Sequence, residues 1–226
     1  MVRRQFNISK EEPWLVAFDC DGTLTTRASR SSWQVVHKYF GTWESIGKPA
    51  LQRFMKNEIS YQEFCIIDAG AWVNRHETEY QAALNSVELR TGIDKIMTFF
   101  KQNGCILVII SMGLSDIVAK IAARFNVDFW IANEIVRRNQ RITGEVMINV
   151  EFQKKGLILK NLLNRFDVSP DNSIAFGDSA SDISMLKAAG TAIAIEPSSF
   201  KVAEVADFVC QDGDLSSLLN LFTQSE

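Results

Sequence analysis

At 226 residues, with 46% hydrophobic and 23% charged side chains, the chain can bury a sizeable core, as one large domain or as one domain carrying an insertion. A net charge of -3 speaks against a broad nucleic-acid surface, and no apolar run approaches the roughly 20 residues of a membrane span. The N-terminal "MVRRQFNISKEEPW" lacks the apolar stretch of a secretory signal. Cys20, Cys65, Cys105 and Cys210 stand apart with only His37 and His76 to assist them, which fits reduced cytoplasmic thiols better than a zinc site or a disulfide framework.

In chain order, Trp14–Asp19 is expected as the first strand. From about Ser29 to Glu88 no strand pattern follows, only three or four helical stretches carrying Trp33, Phe40, Trp43, Phe54, Phe64 and Trp72. This reads as a helical insertion, with aromatic residues at helical spacing forming its core. A strand at Cys105–Ser111 is followed by a helix with Ile117, Ile121 and Phe125 on one face. Asp128–Ala132 is the next strand, and the alternating Asn133–Val146 segment folds around "RNQR" as a β-hairpin. A helix presents Ile158, Leu162 and Phe166, strands follow at Ser173–Gly177, Thr191–Ile195 and Asp207–Cys210, and a last helical face carries Leu215, Leu218 and Phe222. "CILVIIS" and "SIAFGD" are nearly continuous apolar runs, as strands covered on both faces require, so the alternation implies a parallel α/β sheet.

In open α/β sheets ligands bind at the carboxyl ends of the strands. There the chain places Asp19 and Asp21 after the first strand, Ser111 after "VIIS", and Asp178 and Asp182 in "GDSASD". Taken singly, each aspartate is an ordinary helix cap or loop residue. Four of them on one edge would repel and be driven toward protonation unless a cation held them, and an all-oxygen ligand set suits Mg²⁺.

The motifs "DCDGT" at Asp19–Thr23, a strand ending in Ser111, a lysine opening a helix at "QKKG", and "GDSASD" at Gly177–Asp182 come in the order and spacing of the haloacid dehalogenase superfamily. The chain resembles its phosphoserine phosphatase-like branch, in which a small helical cap follows the first strand; the "IANEIV…ITGEV" hairpin is similar too. The resemblance implies a Rossmann-like core at residues 1–28 and 89–226 and a cap at 29–88. It implies that Asp19 is a nucleophile forming an aspartyl-phosphate, and that Asp21 is the general acid and base. Mg²⁺ would be held by Asp19, the backbone carbonyl of Asp21, Asp178 and Asp182. Thr23, Ser111, Met112, Gly113 and Lys155 would hold the phosphoryl group; the family places the lysine directly before the glycine of "KG", which selects Lys155 over Lys154. The implied substrate is a small phosphate ester, with no nucleic-acid or membrane partner, and the oligomeric state is not implied.

The cap departs from true phosphoserine phosphatases. Alignment through "MKNEISY", where Met55 and Tyr61 match the branch's methionine and aromatic residue, puts Asp68 at the position of an arginine that holds the substrate carboxylate. "TTRASRSSW" offers no glutamate for the substrate amine, and Ser181 replaces an asparagine. Arg27, Met55, Tyr61 and Asp68 are therefore the candidate selectivity residues, with Arg30, Arg53 and Arg75 as other arginines able to take over a carboxylate. Rival readings can be weighed against these residues. Cys20 invites a cysteine-phosphatase reading, but C-x5-R fails because Thr26, not Arg27, stands at the required place. Phosphotransfer to an alcohol acceptor would use the same residues. A non-enzymatic interaction protein could retain the aspartates to bind metal, but would not need Asp21, Ser111 and Lys155 together. The Walker-type hint "GTWESIGKP" fails on spacing and on Pro49.

Overall fold

The computed structural model describes residues 6–8 and 11–224. Part of the N-terminal stretch read above for a secretory signal lies outside the described residues. The central sheet has seven strands in the order β5-β4-β3-β2-β6-β7-β8, built from β2 (Leu15–Phe18), β3 (Ile106–Leu114), β4 (Phe129–Arg138), β5 (Arg141–Met147), β6 (Ser173–Gly177), β7 (Thr191–Ile195) and β8 (Phe208–Cys210). All neighbours pair in parallel except β4 and β5, which form the hairpin. Asn139 and Gln140, both with positive φ, make its two-residue turn, the backbone that matches the twist of the flanking strands. The expected Asp128–Ala132 strand and the first arm of the hairpin are one continuous strand.

The apolar runs are buried on both faces. In β2, Val16 and Phe18 join one core cluster while Leu15 and Ala17 join the other; β3, β6 and β7 divide in the same alternating way. The first face is covered by α5 (Ile93–Gln102) and α6 (Ser115–Phe125), through Ile96, Met97 and Phe100 and through Ile117, Val118 and Ile121. The second is covered by α7 (Lys155–Arg165), α8 (Ile183–Leu186) and α9 (Phe200–Glu204), through Leu159, Leu162, Met185, Leu186 and Val202. Burying both faces, at about 25 cal/mol per Å² of apolar surface, is what holds strands as short as these.

Between β2 and α5 lie α1 (Ser32–Tyr39), α2 (Lys48–Met55), α3 (Tyr61–Gly70) and α4 (Glu77–Leu84), the cap expected after the first strand of the sheet. Ser31 caps α1 by accepting from the Gln34 N–H, and Ser60 and Glu63 form a capping box on α3. The cap leaves and rejoins the core at a bridge between Thr25 and Leu89. It also docks on the hairpin, where Asn74 N–H donates to the Ile142 carbonyl and Ile142 N–H to that of Arg75.

Two features at the chain ends were not expected. β1 (Phe6–Ile8) pairs in parallel with β9 (Phe222–Gln224) as a separate two-stranded sheet. The segment read as a helix through Leu215, Leu218 and Phe222 is a 3₁₀ helix over Leu215–Leu221, and Phe222 already belongs to β9. Spacings of three and four residues do not separate one tight 3₁₀ run from an α-helical turn. Among the described residues no helix is long and apolar enough to cross a membrane.

Candidate active site

The site forms where the chain order reverses, at the carboxyl ends of β2, β3 and β6. Asp19 follows β2 directly, and its N–H still donates to the Phe176 carbonyl of β6. The chain then turns sharply, with the N–H groups of Thr23, Leu24 and Thr25 all reaching the Cys20 carbonyl. Gly22 makes the turn possible at φ +85°, and a Cβ there would lie 2.6 Å from an Asp178 carboxylate oxygen. Arg90, missed in the sequence, locks the turn from behind: its Nη2 donates to the Gly22 carbonyl at 2.6 Å and its Nη1 pairs with Glu196. Cys20 is fully buried, and burial pushes its thiol pKa up, so the thiolate reading has no support here.

Asp21 is held by a second residue the sequence did not single out. Its Oδ2 accepts from both the N–H and the hydroxyl of Ser32, each at 2.7 Å, while its Oδ1 is buried without a partner. The Ser32 hydroxyl in turn accepts from Leu114 N–H, tying the first turn of α1 to the end of β3. Gly113 leaves room for this carboxylate, since a Cβ there would lie 2.5 Å from Asp21 Oδ2.

Lys155 is buried and its Nζ donates to Asp19 Oδ1 at 2.5 Å and to Asp182 Oδ1 at 2.6 Å, while Lys154 is exposed. Thr23 donates its hydroxyl to the other Asp19 oxygen at 3.3 Å. Asp182 Oδ2 is taken up by the N–H groups of Asp178 and Ser179 and by the Ser179 hydroxyl. Asp178 differs: both carboxylate oxygens are buried without a hydrogen bond, and only Arg30 Nε approaches, at 3.1 Å. Burial, and then the Asp182 charge, raise the Asp19 pKa to about 7 against the pull of Lys155. Burial raises that of Asp21 to about 6 despite the Ser32 bonds. Burial, followed by the charges of Asp182 and Asp19, lifts Asp178 well above the carboxylate range. Burial works against the Lys155 charge, yet the two carboxylates outweigh it and raise its pKa.

Ligand atoms of Asp19, Asp178 and Asp182 lie within 4.8 Å of one another. An all-oxygen set with a buried carboxylate that accepts no hydrogen bond fits a hard divalent cation. The Asp21 side chain is outside this cluster, turned to Ser32.

A cavity of about 440 Å³ opens over these residues, walled by Asp19, Asp21, Lys155 and Asp178 at one end and by the cap at the other. Met112 and Gly113 are part of its wall. The Met112 carbonyl accepts from Trp33 Nε1, the Tyr61 hydroxyl and Asn133 Nδ2, which joins cap and core at one peptide. Ser111 and Thr23 are fully buried and not part of the wall; the Ser111 hydroxyl accepts from Gly113 N–H. Met55 and Tyr61 line the cavity. Two other candidates do not. Arg27 is exposed in a short 3₁₀ turn, and Arg30 takes the wall position instead. Asp68 is 1% exposed in the cap core, with Oδ1 3.0 Å from His37 Nε2. Its assignment to the substrate is corrected: it closes a buried pair that Trp72 covers. Trp33 and Trp72 are core residues of the cap, as expected, and Trp33 also reaches the cavity.

The chain matches the haloacid dehalogenase-like hydrolase family over residues 15–190. It is 24% identical over 218 residues to the phosphoserine phosphatase of Idiomarina loihiensis, covering 96% of this chain and 97% of that one. It is 29% identical over 185 residues to that of Halobacterium salinarum, covering 81% and 86%. Among solved structures, a phospho-aspartyl intermediate analogue of phosphoserine phosphatase superposes with a TM-score of 0.83 at 23% identity, over 94% of this chain and 100% of the other. A substrate-bound phosphoserine phosphatase complex gives a TM-score of 0.83 at 22% identity, over 94% and 99%. The chain therefore belongs to the haloacid dehalogenase-like hydrolases, as an enzyme of the phosphatase type that is similar to phosphoserine phosphatases.

Proposed function

We propose that the chain hydrolyses a small phosphate monoester through an aspartyl-phosphate on Asp19, with Mg²⁺ held by Asp19, Asp178, Asp182 and the Asp21 carbonyl. The observation that carries this is the buried Lys155–Asp19 contact beside the Asp178 carboxylate, whose oxygens accept no hydrogen bond. In the first step an Asp19 oxygen attacks phosphorus, the bond from phosphorus to the ester oxygen breaks, and Asp21, through its free Oδ1, gives that oxygen a proton. In the second, Asp21 takes a proton from water, the water oxygen attacks phosphorus, and phosphate leaves with the Asp19 carboxylate restored. Lys155, beside the backbone of Met112 and Gly113, supports the charge on the phosphoryl oxygens, while Thr23 and Ser111 hold Asp19 and Gly113 from behind the wall. The cation supplies neutralisation of the carboxylates and phosphoryl group.

On this reading residues 29–88 are the cap and 1–28 with 89–226 the core. Its solved relative described as substrate-bound supports a phosphoester as the ligand class. The buried free cysteines fit a reducing compartment, the cytoplasm. The test is hydrolysis of an aryl phosphate: chelator should abolish it and Mg²⁺ restore it, and Asp19→Asn should lower turnover by orders of magnitude with the fold retained. Full activity in excess chelator, or an active Asp19→Asn, refutes the reading.

A further inference from the structure

We propose that the substrate's leaving group is apolar, an aryl or alkyl alcohol with no charge near the ester oxygen. This rests on the phosphatase reading above and names the substrate class of the same cavity. Its catalytic end is charged, but a large apolar part of the wall is built by Trp33, Leu51, Phe54, Met55, Phe64 and Phe152. Phe54 stacks on Phe64 at 5.4 Å and 9°, and meets the edge of Phe152 from the core at 5.4 Å and 89°. The aromatic cluster thus spans the seam between cap and core. Met55 stands 66% exposed at this wall, an apolar surface that a ligand of like character would cover.

Several polar groups of the wall are already engaged within the protein. Arg30 is the only charged residue lining the cavity from the cap, and its guanidinium faces Asp178 through Nε and donates to the Glu196 carbonyl through Nη2. The Tyr61 hydroxyl accepts from Asn133 and donates to the Met112 carbonyl. The Ser31 hydroxyl caps α1, and that of Ser179 contacts Asp182 and Ser181. A leaving group such as serine would bring an ammonium to a cap-side wall that has no carboxylate to meet it, and a desolvated charge without a partner is costly. A ring or alkyl chain meets only the surface it prefers. A volume of about 440 Å³ is in the range of small-molecule sites and holds such a group beyond the phosphate.

The experiment compares kcat/KM for benzyl phosphate and hexyl phosphate with that for O-phospho-L-serine and glycerol 3-phosphate, all with Mg²⁺. Burial of a ring or chain of this size should favour the apolar esters by about tenfold to a hundredfold. Phe54→Asp should remove most of that preference. Separately, benzylphosphonate, which is not hydrolysed, should bind about tenfold more tightly than methylphosphonate by calorimetry. Turnover with equal or greater efficiency on phosphoserine overturns the apolar assignment and leaves the phosphatase reading standing, as does equal binding of the two phosphonates. No turnover of any ester overturns the phosphatase reading and this assignment with it.

Discussion

Ser32→Ala tests how the fold prepares Asp21. The hydroxyl supplies one of two 2.7 Å bonds to Asp21 Oδ2, the backbone N–H supplying the other, so the substitution removes one charge-assisted bond and keeps the second. Such a bond is worth about 1.5–3 kcal/mol. Because both bonds favour the ionised carboxylate, losing one raises the Asp21 pKa further from its already elevated position. In the proposed first step Asp21 must be protonated, so the alkaline limb of kcat/KM against pH should move to higher pH. The carboxyl is also held by one bond instead of two, and kcat should fall roughly tenfold to a hundredfold. Leu114 N–H loses its acceptor, a cost of about 1–3 kcal/mol in stability that a thermal melt will register. A purely structural role would show in the melt alone. An alkaline limb that stays in place, or moves to lower pH, refutes the argument that Ser32 tunes Asp21.

Three further outcomes follow from the same contacts. Lys155→Ala leaves Asp19 and Asp182 without their shared cation and should cost several kcal/mol in the transition state, whereas exposed Lys154→Ala should be nearly neutral; kcat for both variants decides, and the reverse order refutes the assignment. The folded pKa of Asp19, Asp21 and Asp178 is raised above the unfolded value near 3.8, so metal-free folded protein binds more protons than unfolded protein between about pH 4 and pH 7. Its Tm in chelator should therefore fall as pH rises through that window, and Mg²⁺ should raise Tm more at about pH 7.5 than at about pH 5; a Tm that climbs with pH in chelator contradicts this. Asp68→Ala leaves His37 Nε2 buried without its partner and should cost about 1–3 kcal/mol of stability, read by chemical denaturation; an unchanged midpoint with altered substrate preference would return Asp68 to the substrate.

The core and the charged cluster at the end of its strands were legible because they rest on short-range rules. Alternating burial in β2, β3, β6 and β7 demands apolar runs, so the strands stand out in the sequence. Asp19, Asp178 and Lys155 sit at strand ends or helix starts, where a few residues fix the backbone and so the direction of the side chain. The supporting contacts were less visible because they join distant segments. Ser32 reads as part of an N-cap signature in "SRSSW", and nothing local says that its hydroxyl spans to Asp21 and Leu114. Arg90 reads as a surface residue until the fold brings the Gly22 carbonyl beneath it. The β1–β9 pair is a contact between segments near the two ends of the chain, each only three residues long, too short for periodicity to mark.

Asp68 shows why the cap resisted alignment. Tyr61, Phe64 and Asp68 fall at positions i, i+3 and i+7 of α3, one face of the helix, so a residue seven positions beyond a cavity-lining tyrosine is an obvious candidate for the same cavity. Seven residues are also about 10 Å along the axis, and a face shared along a helix need not meet the same neighbour at both ends. The structure resolves the face into two rungs with α1. On the first, Trp33 and Tyr61 both reach the Met112 carbonyl and so touch the catalytic edge. On the second, one turn along α1 and two along α3, His37 and Asp68 meet each other under Trp72. A side chain on the first rung faces the cavity; a charge on the second must be neutralised inside the cap. Placing an arginine at Asp68 would therefore set a cation against His37 in a closed core, and loss of the cap fold is expected before any change of specificity.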